Sequence, residues 1–275
     1  LEQLESDECG PALALQGLAA VEPDVRIEIV RELGRAGGDA PGPGLVEFMR
    51  LLVFSGDESL RSMAMESLSP LSLLQQEVES AWASIVEHHP ESEVVERARA
   101  ALGDRAIPAL RRRQELAVAR PVLAGSLVSA VNGSGEGLIV LIAHQGSRRT
   151  AAAFTCNVLL GVRAVAGDVV FEDDSNDVEE LFSAFQAESD ADFVTGVDSL
   201  AVSLLGACLL IRPKEATPAL RFWIESTLGP DFRPRILEHD LAQHECHSRP
   251  AEETEVMVRD LLNACPPWLD TSTIT

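Results

Sequence analysis

Several residue types are scarce in this chain of 275 residues, and each scarcity excludes something. The chain has no Tyr, nine Phe and three Trp, so its core must be built mainly from Ala, Leu, Val and Ile. Lysine occurs once, as Lys214, and Lys and Arg together number 22 against 44 Asp and Glu. Contacts to nucleic-acid phosphates need Lys and Arg. The net charge of −22 therefore argues against a nucleic-acid partner and against an anionic membrane surface.

Long apolar runs and paired cysteines are also missing. The longest uncharged helical segment, 199–211, has 13 residues, whereas a membrane span needs about 20, so we expect no span. No cysteine spacing suggests a disulfide framework, which favours a reducing compartment. With no visible signal peptide, the expected location is cytoplasmic. The five dispersed cysteines are Cys9, Cys156, Cys208, Cys246 and Cys265.

The first third of the chain is repetitive. Three segments open with a turn or capping residue and acids, and continue through an Arg into an amphipathic run; they span 22–34, 55–68 and 89–102. Their period of 33 or 34 residues is typical of helical solenoids. Each segment follows another apolar helical run, which predicts about three helix pairs. The expected N-caps of the second helices are Asp24, Asp57 and Ser92.

This pattern resembles the HEAT-like repeat family over about residues 10–118. The matching pairs of residues are Asp24 with Arg26, Asp57 with Arg61, and Glu91 with Arg97. The resemblance implies a stack of antiparallel helix pairs that serves protein–protein contact. In such a stack, an acid at a helix start and an Arg on another helix can join neighbouring pairs. An unrelated small helical bundle is the alternative.

From residue 122 the pattern changes to strands. Three runs rich in β-branched residues are separated by glycine-rich turns, which predicts an antiparallel meander; they span 122–131, 137–145 and 150–160. Helices are expected at 177–188, 198–211, 217–227 and 252–264. The predicted fold class is therefore α+β, with a helical-repeat domain over 1–120. A second domain over 121–275 holds a three-stranded antiparallel meander packed with helices.

The segment 238–250, EHDLAQHECHSRP, concentrates residue types that bind soft metals. On a helix, Asp240, His244 and His247 would share one face, as in a zinc site with an open position. The His spacing of i, i+3 excludes the zinc-protease helix, which needs i, i+4. A polar connector is the competing interpretation, because prolines bound the segment. We therefore expect no cofactor, and keep as the alternative a zinc site formed by His239, Asp240, His244 and His247.

Acidic side chains concentrate between Arg163 and Arg212, where no Lys or Arg occurs. Such a patch can speed association with a basic protein partner, although a solubilising face is the alternative. A calcium loop of the EF-hand type is excluded, because Asp177 stands where the motif needs Gly and Ser183 where it needs Glu. The candidate partner-binding residues are Glu172, Asp173, Asp174, Asp177, Glu179 and Glu180.

No catalytic constellation stands out, so the expectation leans against an enzyme. Cys156 and His144 lie on neighbouring predicted strands and can form a dyad only if both side chains face the same way. The sequence predicts a non-enzymatic interaction or scaffold protein with protein partners, with self-association left open. One alternative is a zinc-type metal-binding domain or metal-dependent enzyme centred on 239–247. Another is a small-ligand sensor with its pocket between meander and helices.

Overall fold

A computed structural model describes residues 9–38, 41–71, 75–116, 120–129, 135–157, 159–171, 193–195, 198–211 and 217–233, with the single residues Leu4 and Ser183. The chain divides into two compact units. The helical unit comprises Leu1–Pro121 and Lys214–Asp231, and the sheet unit comprises Val122–Pro213 and Phe232–Thr275. The helical unit is thus assembled from two stretches of chain that the strands separate.

Helices build the first unit. Its first stretch contains α1 (Gly10–Ala19), α2 (Pro23–Gly37), α3 (Pro43–Val53), α4 (Glu58–Leu68), α5 (Gln76–His88), α6 (Ser92–Leu102) and α7 (Ala106–Leu116). A 3-10 turn, Gly103–Arg105, precedes α7. The second stretch contributes α9 (Pro218–Leu228), which begins with the Thr217 hydroxyl accepting a hydrogen bond from Leu220 N at 3.1 Å.

The helices of this unit pack in two rows. In the first row α1 contacts α3, α3 contacts α5, and α5 contacts α7. In the second row α2 contacts α4, and across the rows α3 pairs with α4 and α5 with α6. Helix α9 packs on α1 and α3. Apolar side chains form the core of this unit; the largest fully buried ones described are Trp82, Trp223, Phe48, Met49, Leu51, Leu52, Met65, Leu68, Ile85 and Leu102.

One of the three predicted caps is confirmed. Asp57 Oδ1 accepts hydrogen bonds from Ser59 N at 2.9 Å and Leu60 N at 3.2 Å. The prediction is wrong for Asp24 and Ser92, which lie inside the first turns of α2 and α6, and the residues at the cap positions accept no side-chain cap bond. For α2 the reason is Pro23, whose fixed φ suits the first helical position and starts the helix before Asp24.

In the part of the chain that the structure describes, the sheet has five strands, not the three that the sequence predicts. They are β1 (Val122–Ser129), β2 (Glu136–Gln145), β3 (Arg148–Asn157), β4 (Gly161–Phe171) and β5 (Phe193–Thr195). All pairings are antiparallel, in the order β4-β3-β2-β1-β5. The α+β class is confirmed, and the three predicted strands correspond to β1, β2 and β3.

Helix α8 (Asp198–Ile211), which the sequence predicts with the same bounds, packs on β1, β2, β3 and β4. Ser126 Oγ on β1 donates to Asp198 Oδ1 at 2.6 Å, which anchors the start of α8 to the sheet. The other face of the sheet carries a fully buried cluster of Leu127, Val140 and Ile142. We expected the helix at 217–227 in the same domain, whereas α9 belongs to the helical unit.

Candidate functional site

The residues predicted as sites from the sequence lie outside the described residues. This holds for the candidate zinc ligands at 239–247 and for the acidic patch at 172–180. Both stay predictions.

The Cys156–His144 dyad is excluded by the register of the sheet. Cys156 on β3 stands opposite Gly137, whereas His144 on β2 stands opposite Arg149. Seven residues along a strand correspond to about 23 Å. Because side chains alternate between faces, the two residues also point to opposite sides of the sheet.

Arg50 on α3 carries a deeply buried charge, since its side chain is only 6% exposed. Its guanidinium binds Glu47 through two hydrogen bonds of 2.7 and 2.6 Å. It also donates to Glu225 on α9 at 2.6 Å and to Ser84 on α5 at 3.2 Å. Burial disfavours the charge, but Glu225 and Glu47 outweigh that cost and raise the pKa of Arg50. Arg50 therefore stays charged and ties three helices together.

A second arginine completes this network. Arg221 binds Glu225 at 2.6 Å, and its guanidinium lies 3.5 Å from the centre of the Phe54 ring. The His89 ring lies 5.1 Å from the same Phe54 ring, and its Nε2 lies 3.1 Å from the carbonyl oxygen of Val53. Burial lowers the pKa of His89 below its ordinary value, although this hydrogen bond opposes the shift. We call Glu47, Arg50, Ser84, Arg221 and Glu225 the Arg50 network.

The Arg50 network is electrically balanced, since its two arginines face two glutamates. Charged hydrogen bonds of this length position helices strongly. The network joins α3, α5 and α9, which gives it an architectural role. Sequence reasoning missed it because Arg50 and Glu225 are 175 residues apart, and no spacing or periodicity connects them.

A second cluster, the His88 cluster, consists of Glu87, His88, Asp231 and Arg120. The side chain of His88 is 2% exposed, with Nε2 at 3.4 Å from Glu87 and Nδ1 at 3.6 Å from Asp231. One ligand atom each from Glu87, His88 and Asp231 lies within 4.8 Å of the others. Arg120 pairs with the second Asp231 oxygen at 2.5 Å. An imidazole with two carboxylates suits a divalent metal of the zinc type, but Arg120 already neutralises one carboxylate.

Three consecutive arginines at 111–113 form a basic run on α7, and one of them has an acidic partner. Arg112 on α7 binds Glu79 on α5 at 2.7 Å, and Arg105 lies 3.8 Å from the same oxygen. Glu79 is buried, with only 4% of its surface exposed. Part of this run therefore serves packing between α5 and α7.

Comparison of the chain with family models, curated proteins and solved structures finds no match. Within the described part of the chain, no helix combines the length and apolar character that a membrane span requires.

Proposed function

We propose that the chain is a non-enzymatic interaction or scaffold protein whose helical unit presents a partner-binding surface. The observation that carries this proposal is the two-row packing of helix pairs, which leaves the outer sides of α2 and α6 exposed. Glu28, Glu32 and Arg35 on α2 are exposed, as are Glu93 and Glu96 on α6. Rows of exposed charged side chains on rigid helices suit recognition of another protein.

The HEAT-like resemblance supports this proposal because an ion pair links two of its three matching pairs, Asp57 with Arg61 and Glu91 with Arg97. Arg61 on α4 binds Glu91 at the start of α6 at 2.6 Å, which joins the second helix pair to the third. Arg26 acts differently. It donates to the carbonyl oxygens of Val21 at 2.6 Å and Ala19 at 2.9 Å, and so closes the end of α1.

The proposed partner is a protein with a basic surface. The chain carries 44 acids against 22 Lys and Arg, so its field attracts a positively charged partner over a distance set by ionic strength. The acidic segment at 172–180 is the proposed steering site.

Zero-length carboxyl-to-amine crosslinking tests the proposal, because the chain has many carboxylates and a single lysine. We expect adducts through carboxylates of this chain and lysines of the partner, and a complex that the two purified proteins reproduce. Neutralising Glu172, Asp173, Asp174, Asp177, Glu179 and Glu180 to amides should slow association and reduce its salt dependence. A matched variant with amides at Glu28, Glu32, Glu93 and Glu96 tests the helical surface separately.

Two results together would refute the proposal. The first is the absence of any crosslinked partner that purified components reproduce. The second is a monomer by light scattering over a wide concentration range, which excludes self-association as well.

Metal binding is the second candidate function, and the observation that favours it is the His88 cluster. The proposed ligands are Glu87, His88 and Asp231, in addition to the candidates at 239–247. Elemental analysis after chelation and zinc reconstitution tests both locations. Loss of stoichiometric zinc in His88→Gln places the site at the His88 cluster, and loss in the double variant His244→Ala, His247→Ala places it at 239–247. No stoichiometric zinc in the unaltered chain rejects both, and the small-ligand sensor stays the remaining alternative.

A further inference from the structure

Two cysteines meet inside the sheet unit. Cys156 near the end of β3 and Cys208 on α8 are both free and both 5% exposed. Cys208 Sγ lies 4.0 Å from the backbone oxygen of Asn157, the residue after Cys156. The two thiols also share a side-chain hydrogen bond. The pair therefore joins the sheet to the helix that covers it.

The register explains why there is room for this contact. Cys156 stands opposite Gly137, so its neighbour on β2 has no side chain. Phe154, two residues earlier and on the same face, is fully buried beside Ile139 on β2. Helix α8 packs on both β2 and β3, and Cys208 contacts the backbone of Asn157 beside Cys156.

We propose that Cys156 and Cys208 form a reversible disulfide that links β3 to α8, with a low-molecular-weight disulfide as the oxidant. The Cys208 thiolate attacks one sulfur of the oxidant, which gives a mixed disulfide and releases one small thiolate. Cys156 then loses its proton and attacks the Cys208 sulfur, which closes the Cys156–Cys208 bond and releases the second small thiolate. Two protein thiols are oxidised and one small disulfide is reduced to two thiols.

The order of attack follows from the surroundings of the two thiols. The hydrogen bond from Cys156 lowers the pKa of Cys208, against the opposing effect of burial. The same hydrogen bond and burial raise the pKa of Cys156. The thiolate is the attacking species in disulfide exchange, so Cys208 reacts first and Cys156 resolves.

Burial sets the rate at which the pair reacts. A small disulfide must reach Cys208 under α8, so the reaction requires a local opening between the helix and the sheet. Once formed, the bond restrains the unfolded chain across the whole stretch from β3 to α8. The oxidised protein should therefore unfold at a higher temperature than the reduced protein.

The test treats the full chain, reduced and freed of reductant, with glutathione disulfide. Peptide mapping without reduction should give a Cys156–Cys208 crosslink that dithiothreitol removes. The unfolding temperature should rise by roughly 5–10 °C on oxidation and return on reduction. Cys208→Ser and Cys156→Ser should each abolish that rise, while Cys9→Ser, which changes a buried cysteine of the helical unit, should leave it intact.

The order of attack has its own signature. Cys156→Ser should accumulate a glutathione adduct at Cys208, and Cys208→Ser should give far less adduct at Cys156. The proposal fails if both thiols of the folded protein stay reduced under conditions that oxidise the cysteines of the unfolded chain. It also fails if the crosslink joins other cysteines. It also fails if the bond forms without raising the unfolding temperature. None of these readouts depends on the proposed partner or on metal.

Discussion

The two units of this protein differ in the kind of polar side chain that they bury. Among the described residues, the helical unit buries four ionisable groups, Arg50, Glu79, His88 and His89, together with the neutral Ser55, Ser84 and Thr227. The buried polar side chains described in the sheet unit are all neutral: Ser126, Ser129, Thr150, Asn157 and Ser203. The stability of the helical unit should therefore depend on charge and pH. The stability of the sheet unit should instead depend on the oxidation of its buried thiols.

The difference reflects how each unit brings distant residues together. Neighbouring strands of the meander pair through backbone hydrogen bonds, which need no charged side chain. Helices satisfy their backbone internally, so their mutual position depends on side chains. In the helical unit, the Arg50 network supplies that specificity for α3, α5 and α9. Four predictions test this contrast, from the largest expected effect to the smallest.

Arg50→Met should destabilise the helical unit by about 3–5 kcal/mol, because it removes the buried charge that pairs with both Glu47 and Glu225. Denaturant unfolding followed by Trp fluorescence measures this in a Trp268→Phe background, where Trp82 and Trp223 report on the helical unit. The control is Arg61→Met, which breaks an ion pair with the exposed Glu91 and should cost at most about 1 kcal/mol. Equal costs for the two variants would remove the distinction between buried and exposed charge.

Gly34→Ala should cost about 1–3 kcal/mol through overpacking. A Cβ at Gly34 would lie 2.5 Å from Ser67 Oγ and 2.9 Å from Ser67 Cβ, so rotation of the serine cannot relieve the clash. Gly17→Ala is the matched control, because its Cβ meets nothing within 4 Å and Ala has the higher helix propensity. Adding Ser67→Gly to Gly34→Ala should recover stability. A neutral Gly34→Ala would show that α2 and α4 can separate freely.

Asp57→Ala should cost about 1 kcal/mol, because Asp57 caps α4 through two backbone N–H groups. Glu22→Ala is the control at the cap position of α2, where no side-chain cap bond exists, and should change stability by less than about 0.5 kcal/mol. Thermal unfolding of both variants distinguishes the cap from a general effect of removing a negative charge. A similar change in both would assign the cost to charge alone.

The smallest effect expected is the pH dependence from His89. Its folded pKa is lowered by burial, so the folded state binds fewer protons than the unfolded state. The stability that His89 contributes in this way is complete above about pH 6.5 and is lost as the pH falls below that value towards the folded pKa. His89→Gln should therefore flatten the loss of stability between about pH 7.5 and pH 5.5. An unchanged slope in His89→Gln would contradict the assignment to His89.

Features carried by local sequence could be predicted. The uncharged run at 199–211 predicted α8 with the observed bounds, because a fully apolar helix needs no amphipathic pattern to be recognised. The glycine-rich turns predicted the first hairpins. Strand β4 was missed because its side chains are mostly exposed and Gly161, Arg163, Gly167 and Asp168 interrupt its apolar residues. Strand β5, with three residues, is too short to leave a pattern.

Features that join distant segments could not be predicted. Nothing near Arg50 in sequence indicates that Glu225 completes its network, and the pair His88–Asp231 is equally remote. The predicted domain of α9 was wrong for the same reason. Its amphipathic sequence predicts a helix, but only its contacts with α1 and α3 assign that helix to the helical unit. The predicted sites at 172–180 and 239–247 remain predictions.

The return of the chain to the helical unit in α9 has a consequence during synthesis. When residues 1–121 leave the ribosome, Arg50 has Glu47 beside it but not Glu225, which arrives only after the whole sheet segment has been translated. Domains usually fold as their residues emerge. Here the first domain to emerge must wait for the second before its last helix is available. A nascent chain halted before residue 217 should therefore remain more sensitive to protease in its helices than one halted well beyond residue 231.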